Sequence, residues 1–203
     1  MSPISNLFTG LGLGRELWHV NYGEGYSVVP RPLYVHWLLF VSSSFDAAEF
    51  YAIKPEGAKG DASGSHIAWK TRKGAPHSAS MVVLDNELYF VSDGGIATCV
   101  DARSGDMHWT QRLGGGFSAS PIAAEGRIYF QNEAGVGFVI KASKTYELLS
   151  KNDLGEPTLA FYAAADNALY ICGKRIFSRS PSESDVAALA PFTEAIAGRP
   201  RDR

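Results

Sequence analysis

The sequence has a small net charge and few cysteines, and it contains no apolar run long enough for a membrane span. Among 203 residues, the formal net charge is −2 and the cysteines number two. So small a net charge gives no reason to expect a nucleic-acid partner or an anionic membrane surface. The apolar run at residues 33–42 is too short to cross a bilayer and includes His36. We therefore expect no nucleic-acid binding and no membrane span.

A secretion signal is also lacking. Residues 1–14 have no basic N-terminal region, and Ser, Asn and Gly interrupt their apolar residues. The chain as written is therefore expected to stay in the cytoplasm. Cys99 and Cys172 each lie in an apolar, strand-like run, which favours buried free thiols. A disulfide between them would need Cα atoms within about 7 Å, which the sequence leaves open.

Patterns typical of catalytic or metal sites are missing as well. None of the five histidines forms an HxxxH or HxH pair, and no cysteine lies at short ligand spacing from one. The run of three glycines from Gly114 lacks the Lys-Ser/Thr of a phosphate loop, and no Gly-x-Ser-x-Gly elbow occurs. We predict no catalytic, cofactor-binding or metal-binding residues.

The informative stretch covers residues 88–109. An apolar and aromatic run at 88–92 is followed by a turn at Asp93, Gly94 and Gly95, then by a second run at 96–101. A glycine pair between two apolar runs predicts a β-hairpin, because glycine adopts positive φ without a Cβ penalty. A second turn at 102–106 leads into a third strand ending at Trp109.

Similar text recurs along the chain at a regular period. Trp69 and Trp109 are 40 residues apart, and Leu149 follows after another 40, whereas Trp18 precedes Trp69 by 51 because of an insertion at 54–65. A period near 40–45 residues with four strands is typical of β-propeller blades. We therefore predict an all-β propeller of about four blades, each with four antiparallel strands, as a partial ring, an open arc or half of an eight-bladed ring.

The repeat predicts a layout. An irregular segment at 1–14 and an orphan outer strand near 16–21 precede blades at 28–72, 78–112 and 118–152 and a three-stranded remainder at 158–178. The propeller as a whole spans 15–178, and residues 179–203 form a linker and tail, either disordered or with a short helix at 184–197. The orphan strand could complete the remainder and close a four-bladed ring, or two copies could pair through blade edges as a homodimer.

Small residues mark the innermost strand of each blade, predicted at 78–84, 118–124 and 158–164. Ser78, Ala79 and Ser80 recur as Ser118, Ala119 and Ser120, which suits the crowded axis of a propeller. Each outer-strand tryptophan is expected to pack across the next blade.

Residues 98–109, read from Thr98 to Trp109 with Asp101 and Gly105 in the turn, resemble the tryptophan-docking repeat of the pyrroloquinoline-quinone (PQQ)-like propellers. The closest resemblance is to bacterial BamB-like repeat proteins, over about residues 12–178. The resemblance implies blade docking by Trp18, Trp69, Asp101, Gly105 and Trp109. It also implies seven or eight blades with an export signal, and hence a periplasmic or cell-envelope location.

Function follows less directly from the resemblance. Regular repeats without a catalytic constellation, together with the resemblance, favour a non-catalytic scaffold that binds a protein or peptide. Asp93, Glu133 and Lys174 lie in turns at corresponding places in successive blades. Such turns either face a partner or are simply solvated surface residues. The alternatives are a PQQ-dependent quinoprotein dehydrogenase and an inactive fragment of a larger propeller. The alcohol dehydrogenases of the wider family use PQQ with calcium, an adjacent cysteine pair and a catalytic aspartate. Cys99 and Cys172 are not adjacent, so no cofactor is expected.

Overall fold

The computed structural model describes residues 7–23, 28–43, 48–165 and 168–173, which form strands, turns and loops. No helix in these ranges is long and apolar enough to cross a membrane. The strands are β1 (Leu7–Gly12), β2 (Arg15–Asn21), β3 (Leu33–Val35), β4 (Leu38–Ser42), β5 (Phe50–Ile53), β6 (Gly60–Asp61), β7 (Ile67–Thr71), β8 (Val82–Leu84), β9 (Glu87–Val91), β10 (Ile96–Asp101), β11 (Met107–Arg112), β12 (Ile122–Ala124), β13 (Arg127–Gln131), β14 (Val136–Lys141), β15 (Leu148–Asp153), β16 (Ala163–Ala165) and β17 (Ala168–Tyr170).

Three antiparallel sheets form complete blades. Their strand orders are β3-β4-β5-β7 in the first blade, β8-β9-β10-β11 in the second and β12-β13-β14-β15 in the third. Two smaller sheets flank them: an N-terminal sheet of order β1-β2-β6 and a C-terminal hairpin of β16 and β17. The all-β propeller class expected from the repeat is confirmed.

The middle strands of each blade are buried on both faces because each blade lies between two neighbours. In β10, the four residues from Ala97 to Val100 are all buried, and the corresponding strand β14 repeats the pattern. Their side chains alternate between two apolar clusters. Ala97 and Cys99 join the cluster shared with the third blade, whereas Val100 joins the cluster shared with the first. Stacking therefore hides both faces of the middle strands of each blade.

Four separate apolar clusters hold the blades together, one at each boundary between neighbouring sheets. Phe50 and Phe90 illustrate the contact between the first and second blades, with stacked rings 5.1 Å apart at 11°. At the next boundary, Phe117 lies 6.2 Å from Phe138. Because each cluster joins only adjacent sheets, the stability of the molecule is distributed along the stack.

The N-terminal region differs from the expected layout in two ways. Residues 7–12, expected to be irregular, form β1, which pairs antiparallel with β2 along its length. The strand near 16–21 is therefore not an orphan. The insertion after β5 adds a third strand to this sheet, because Gly60 and Asp61 pair in parallel with Trp18 and His19. The loop from the first blade thus extends the preceding sheet, a long-range pairing that the local sequence does not indicate.

The innermost strands are shorter than predicted. Strands β8, β12 and β16 contain three residues each, and the segments from Ser78 to Met81 and from Ser118 to Pro121 precede β8 and β12 as loops outside the strand ladders. Ala79 and Ala119 are nevertheless buried. Small residues serve here for packing near the axis and not for strand pairing.

At the other end, β16 and β17 form a hairpin, and the two end sheets are not hydrogen-bonded to each other among the described residues. Closure of a four-bladed ring by their pairing is thus not seen in this part of the chain. The expected third strand of the remainder, and the predicted tail with its helix, lie outside the described residues.

Strand register also corrects the expected equivalence of Leu149. The tryptophans of β2, β7 and β11 stand opposite Gly10, Ala52 and Cys99, respectively. In each strand, the residue immediately before the tryptophan is a β-bulge. In β15 the residue opposite Val139 is Ser150, and Leu149 is the bulged residue. The third blade therefore has serine at the tryptophan position, and the adjacent leucines concealed the one-residue shift.

A buried carboxylate ties β5 to β7 in the first blade. Glu49 is 8% exposed, and its carboxylate accepts a hydrogen bond from the Tyr51 hydroxyl at 2.5 Å. Lys70 Nζ lies 3.1 Å away and Arg72 Nε 3.6 Å away. Burial raises the pKa of Glu49, but the hydrogen bonds from Tyr51 and Lys70 and the two positive charges outweigh it, and the pKa is lowered.

We expect Glu49→Gln to reduce the free energy of unfolding by about 1–3 kcal/mol at neutral pH, since hydrogen bonds to a charged group are lost. A lowered folded-state pKa stabilises the protein above the unfolded-state pKa of about 4.3, and this contribution disappears as the pH falls through the folded-state value. The difference between variant and wild type should therefore shrink in acid. Urea unfolding at neutral and acidic pH measures it.

The matched control is Glu147→Gln. Glu147 pairs with Lys141 at 3.1 Å, but both side chains are more than half exposed, so the expected change is below about 1 kcal/mol. Equal effects of the two substitutions, or a Glu49→Gln effect that does not depend on pH, would contradict the role given to Glu49.

Candidate functional site

Trp69 docks the first blade onto a turn of the second. Its Nε1 donates a hydrogen bond to the Ala102 carbonyl at 3.1 Å, and its ring stacks on Phe50 with centroids 5.6 Å apart. The ring also lies directly over Gly105, where a Cβ atom would come within 2.6 Å of it. Gly105 has φ +78°. Glycine adopts this backbone angle without strain and also leaves room for the indole ring.

Trp109 repeats the arrangement one blade further. Its Nε1 donates to the Ser143 carbonyl at 3.1 Å, and Tyr146 meets its ring edge-on at 5.3 Å. Trp109 is only 9% exposed and belongs to the apolar cluster between the second and third blades. The indole thus combines a large buried surface with one hydrogen bond across the boundary.

Trp18 occupies the same register position in the N-terminal sheet but has different surroundings. It is 7% exposed and packs with Ala58 and Ala62 of the insertion and with Tyr51 of the first blade. Its ring fills the space beside Gly10, where a Cβ atom would lie 2.3 Å from it. All three tryptophans therefore lie at boundaries between sheets.

Asp101 shapes the turn onto which Trp69 docks. Its carboxylate accepts hydrogen bonds from the backbone N–H groups of Arg103 and Ser104, both at 2.9 Å, and its carbonyl accepts from Gly105 at 2.9 Å. The Ser104 N–H is the largest influence that holds the pKa of Asp101 below its usual value. The carboxylate is thus committed to the turn.

The turns predicted to face a partner use their carboxylates within the blade. Asp93 accepts hydrogen bonds from the N–H groups of His77 and Ser78, at 3.0 and 3.1 Å, and from the Ser78 hydroxyl at 2.8 Å. Glu133 accepts in the same way from the Ser118 hydroxyl. Both side chains hold the start of the innermost segment, a role that the sequence analysis did not foresee. Lys174 lies outside the described residues, and a partner role for these turns stays a prediction.

A groove lies along the axis, and we call it the axial groove. It has a volume of about 630 Å³, and it is lined by the innermost segments of three blades and by Phe161 and Tyr162, which precede the C-terminal hairpin. Its apolar wall includes Leu33, Met81, Val82, Ile122 and Phe161. A mostly apolar concave surface with a few polar groups is typical of binding sites.

A line of serine hydroxyls links the segments that form the groove. The Arg31 N–H donates to the Ser80 hydroxyl at 2.9 Å, and the Ser80 N–H donates to the Ser120 hydroxyl at 2.9 Å. The sequence analysis treated these serines only as small residues, although their 40-residue spacing was a usable signal. The strand register places Phe161 at the position that Ser120 occupies in the third blade. The series of serines therefore ends with Ser120.

Exposed aromatic side chains lie in and beside the groove. Tyr34 and Phe161 line it and are 53% and 63% exposed. Trp37, 75% exposed, occupies the turn at the end of β3 together with His36, and both have positive φ, at 64° and 53°. His36 Nε2 lies 2.6 Å from the Asp85 carbonyl in the corresponding turn of the second blade. Non-glycine residues in this conformation are strained, and such strain occurs often at functional sites.

The cysteines differ from the expectation of two buried thiols. Both are free, but Cys99 is buried whereas Cys172 is exposed. Burial is the main cause that raises the pKa of Cys99 to about 12. Cys99 lies in β10, whereas Cys172 follows the end of β17. The described residues contain no group of three or more His, Cys, Asp or Glu side chains placed to hold a metal ion. This donor set does not fit a quinone held between a cysteine pair and a calcium site.

Comparisons with known proteins agree with this architecture. Residues 12–191 match the protein family described as outer membrane protein assembly factor BamB. The solved structure of BamB from Moraxella catarrhalis superposes with a TM-score of 0.63 at 15% identity, over 83% of this chain and 50% of that one. The quinohemoprotein alcohol dehydrogenase ADHIIG from Pseudomonas putida HK5 gives 0.61 at 14% identity, over 84% of this chain and 31% of that one.

A second dehydrogenase gives a similar result. The quinohemoprotein alcohol dehydrogenase from Comamonas testosteroni superposes with a TM-score of 0.54 at 16% identity, over 77% of this chain and 26% of that one. The chain thus spans half or less of the length of these proteins. No curated protein matches it. At such identities, the structural likeness shows the fold alone.

Proposed function

Since the chain belongs to the family described as outer membrane protein assembly factor BamB, we propose that it is a non-catalytic propeller scaffold that binds an extended peptide segment of a protein partner. The axial groove carries this proposal. Its volume of about 630 Å³ and its apolar wall suit a short run of apolar side chains. A cell-envelope location is part of the same proposal and rests on the family.

The shape and polarity of the groove favour an extended strand over a compact ligand. The inner edges of β8 and β12 have no further strand partner among the described residues, so their backbone groups are available to an added chain. Exposed Tyr34 and Phe161 give such a chain aromatic contact surface, and aromatic side chains are enriched at binding interfaces.

Charge sets the expected direction of the bound peptide. Arg31, on the first blade, is among the residues that line the groove, and its side chain is exposed. A carboxylate on the peptide would face this guanidinium, which makes favourable charged hydrogen bonds to carboxylates. The proposed partner segment therefore alternates apolar and small polar residues and has an acidic group at one end.

We expect saturable binding of a fluorescent eight-residue peptide that alternates valine with serine and ends in aspartate. Phe161→Ser should weaken binding about tenfold, which corresponds to about 1.4 kcal/mol, because an exposed aromatic contact is removed without disturbing the core. Fluorescence anisotropy measures the affinity. Replacement of the terminal aspartate by asparagine should weaken binding and reduce its dependence on salt.

The matched control is Leu148→Ser, because Leu148 is 44% exposed but lies on the outer strand β15, away from the groove. Absence of saturable binding, or equal loss in both variants, would refute peptide binding in the groove. Dye reduction from an alcohol that requires added PQQ and calcium would instead favour the dehydrogenase alternative and refute the non-catalytic role.

A further inference from the structure

One position recurs just before the innermost strand of each blade and of the C-terminal hairpin. The strand register places it two residues before the first paired residue of β3, β8, β12 and β16. The residues at this position are Arg31, Ser80, Ser120 and Phe161. All four line the axial groove, so we call it the axial position.

Hydrogen bonds between axial positions run in one direction along the chain. The Arg31 N–H donates to the Ser80 hydroxyl oxygen, and the Ser80 N–H donates to the Ser120 hydroxyl oxygen, both at 2.9 Å. The strands β3, β8 and β12 belong to different sheets and share no ladder, so a side-chain oxygen bridges each pair of segments. At the next step the acceptor position holds Phe161, whose side chain has no hydroxyl group. The Ser120 N–H therefore has no acceptor in this series.

The contact inferred from this series rests on the proposed peptide binding in the axial groove. We propose that the Ser120 N–H donates a hydrogen bond to the side-chain hydroxyl of a serine or threonine in the bound peptide. That peptide residue then accepts from Ser120 as Ser120 accepts from Ser80. The groove thus selects an apolar peptide with a hydroxyl group at one fixed position.

The polarity of the groove favours a hydroxyl over a carboxylate at this point. The described residues that line the groove include no Asp or Glu, and Pro121, Ile122 and Ala123 follow Ser120 along its wall. A carboxylate would lose its hydration there in exchange for a neutral donor, which costs more than the burial of a hydroxyl group. An alanine would cover the N–H without accepting its hydrogen bond, which also costs free energy. Serine and threonine avoid both costs.

The hydroxyl of Ser120 supplies a second contact to the same peptide. Its oxygen accepts the hydrogen bond from the Ser80 N–H. A serine hydroxyl has one proton to donate besides its acceptor lone pairs, so this proton is directed to a backbone carbonyl of the peptide. One residue of the third blade thereby offers two donors, the N–H for the peptide hydroxyl and the O–H for the peptide carbonyl.

Amide hydrogen exchange followed by NMR tests the vacant donor without any peptide. Relative to its intrinsic rate, the Ser120 N–H should exchange at least about tenfold faster than the Ser80 N–H, because only the Ser80 N–H is bonded in the series. Phe161→Ser should slow Ser120, since the new hydroxyl stands at the acceptor position. Phe161→Ala is the matched control and should not. Phe161 is 63% exposed, so neither variant disturbs the core.

The peptide hydroxyl is tested with two fluorescent peptides. One is the valine–serine peptide ending in aspartate, and the other has alanine in place of every serine. Wild type and Phe161→Ala should each bind the serine peptide about fivefold more tightly, the effect of one neutral hydrogen bond. In Phe161→Ser this preference should fall below about twofold, because the protein now supplies the hydroxyl itself. Fluorescence anisotropy measures all six affinities.

The outcomes separate this contact from peptide binding as such. Equal affinity of wild type for both peptides would refute hydroxyl recognition but leave the proposed function standing. A serine preference that persists in Phe161→Ser would place the peptide hydroxyl away from Ser120 and refute the contact. Equal exchange of Ser80 and Ser120, or no slowing in Phe161→Ser, would refute its structural basis. Binding of neither peptide would refute the proposed function and this contact with it.

Discussion

Trp109→Ala should lower the free energy of unfolding by about 3–5 kcal/mol, the range for removing a large aromatic side chain from a core. Trp109 is 9% exposed, packs among apolar residues of two blades and donates a hydrogen bond to the Ser143 carbonyl. Its loss leaves a cavity and removes the indole hydrogen bond to this carbonyl. Urea unfolding followed by circular dichroism measures the change.

The same substitution at an exposed indole separates burial from residue type. Trp37 is 75% exposed, so Trp37→Ala should change the free energy of unfolding by less than about 0.5 kcal/mol. If the two substitutions had similar effects, blade docking by Trp109 would not be a main source of stability. If Trp109→Ala unfolded the third blade alone, the second and third blades would unfold less cooperatively than their shared apolar cluster indicates.

Gly105→Ala is the second large expected effect. The added methyl group would lie 2.6 Å from the Trp69 ring at a residue with φ +78°. Overpacking costs about 1–3 kcal/mol and an alanine at positive φ about 1 kcal/mol more, so we expect a loss of about 2–4 kcal/mol. Trp69 fluorescence should also change, because its ring must move.

Gly126→Ala isolates the backbone part of this effect. Gly126 has φ +71° but no atom within 4 Å of an added Cβ, so only the cost of about 1 kcal/mol for positive φ should remain. In a double-mutant cycle with Trp69→Ala, the extra cost at Gly105 should disappear. Equal effects at Gly105 and Gly126, with or without the tryptophan, would mean that the ring does not press on the turn.

The blade architecture could be predicted from the sequence because each blade repeats strong local signals. Trp69 and Trp109, and likewise the aromatic strands around Tyr89 and Tyr129, are 40 residues apart. The Asp101-to-Gly105 turn marks the clearest copy of the repeat. The sequence therefore indicates which sheets form and in what order. It indicates less about how far each strand extends. The segments that begin at Ser78 and Ser118 have the small residues expected of an inner strand, but their backbones do not pair with a neighbouring strand.

Other features depend on contacts between distant residues. Gly60 and Asp61 have low strand propensity, and only the edge of β2 makes them a strand. Leu148 and Leu149 look alike in sequence, so the bulge that moves Ser150 into the tryptophan position was hidden. In the sequence, Asp93 resembles a solvated turn residue. Its carboxylate accepts hydrogen bonds from the N–H groups of His77 and Ser78, which lie 16 and 15 positions earlier. The axial groove depends on three blades and on Phe161 and Tyr162, so no short stretch of sequence indicates it.

The parallel pairing of β6 with β2 makes the two ends of the stack unequal. At the N-terminal end, a loop of the first blade reaches back over its neighbour, and the Ala62 N–H binds the His19 carbonyl at 2.8 Å, so peeling this sheet away requires the loop to detach first. Among the described residues, the C-terminal end has no corresponding strand pairing, and Ser150 replaces the indole there. Within this part of the chain, fraying should therefore start at the C-terminal hairpin and travel inward one blade at a time, which gives the stack a direction of unravelling.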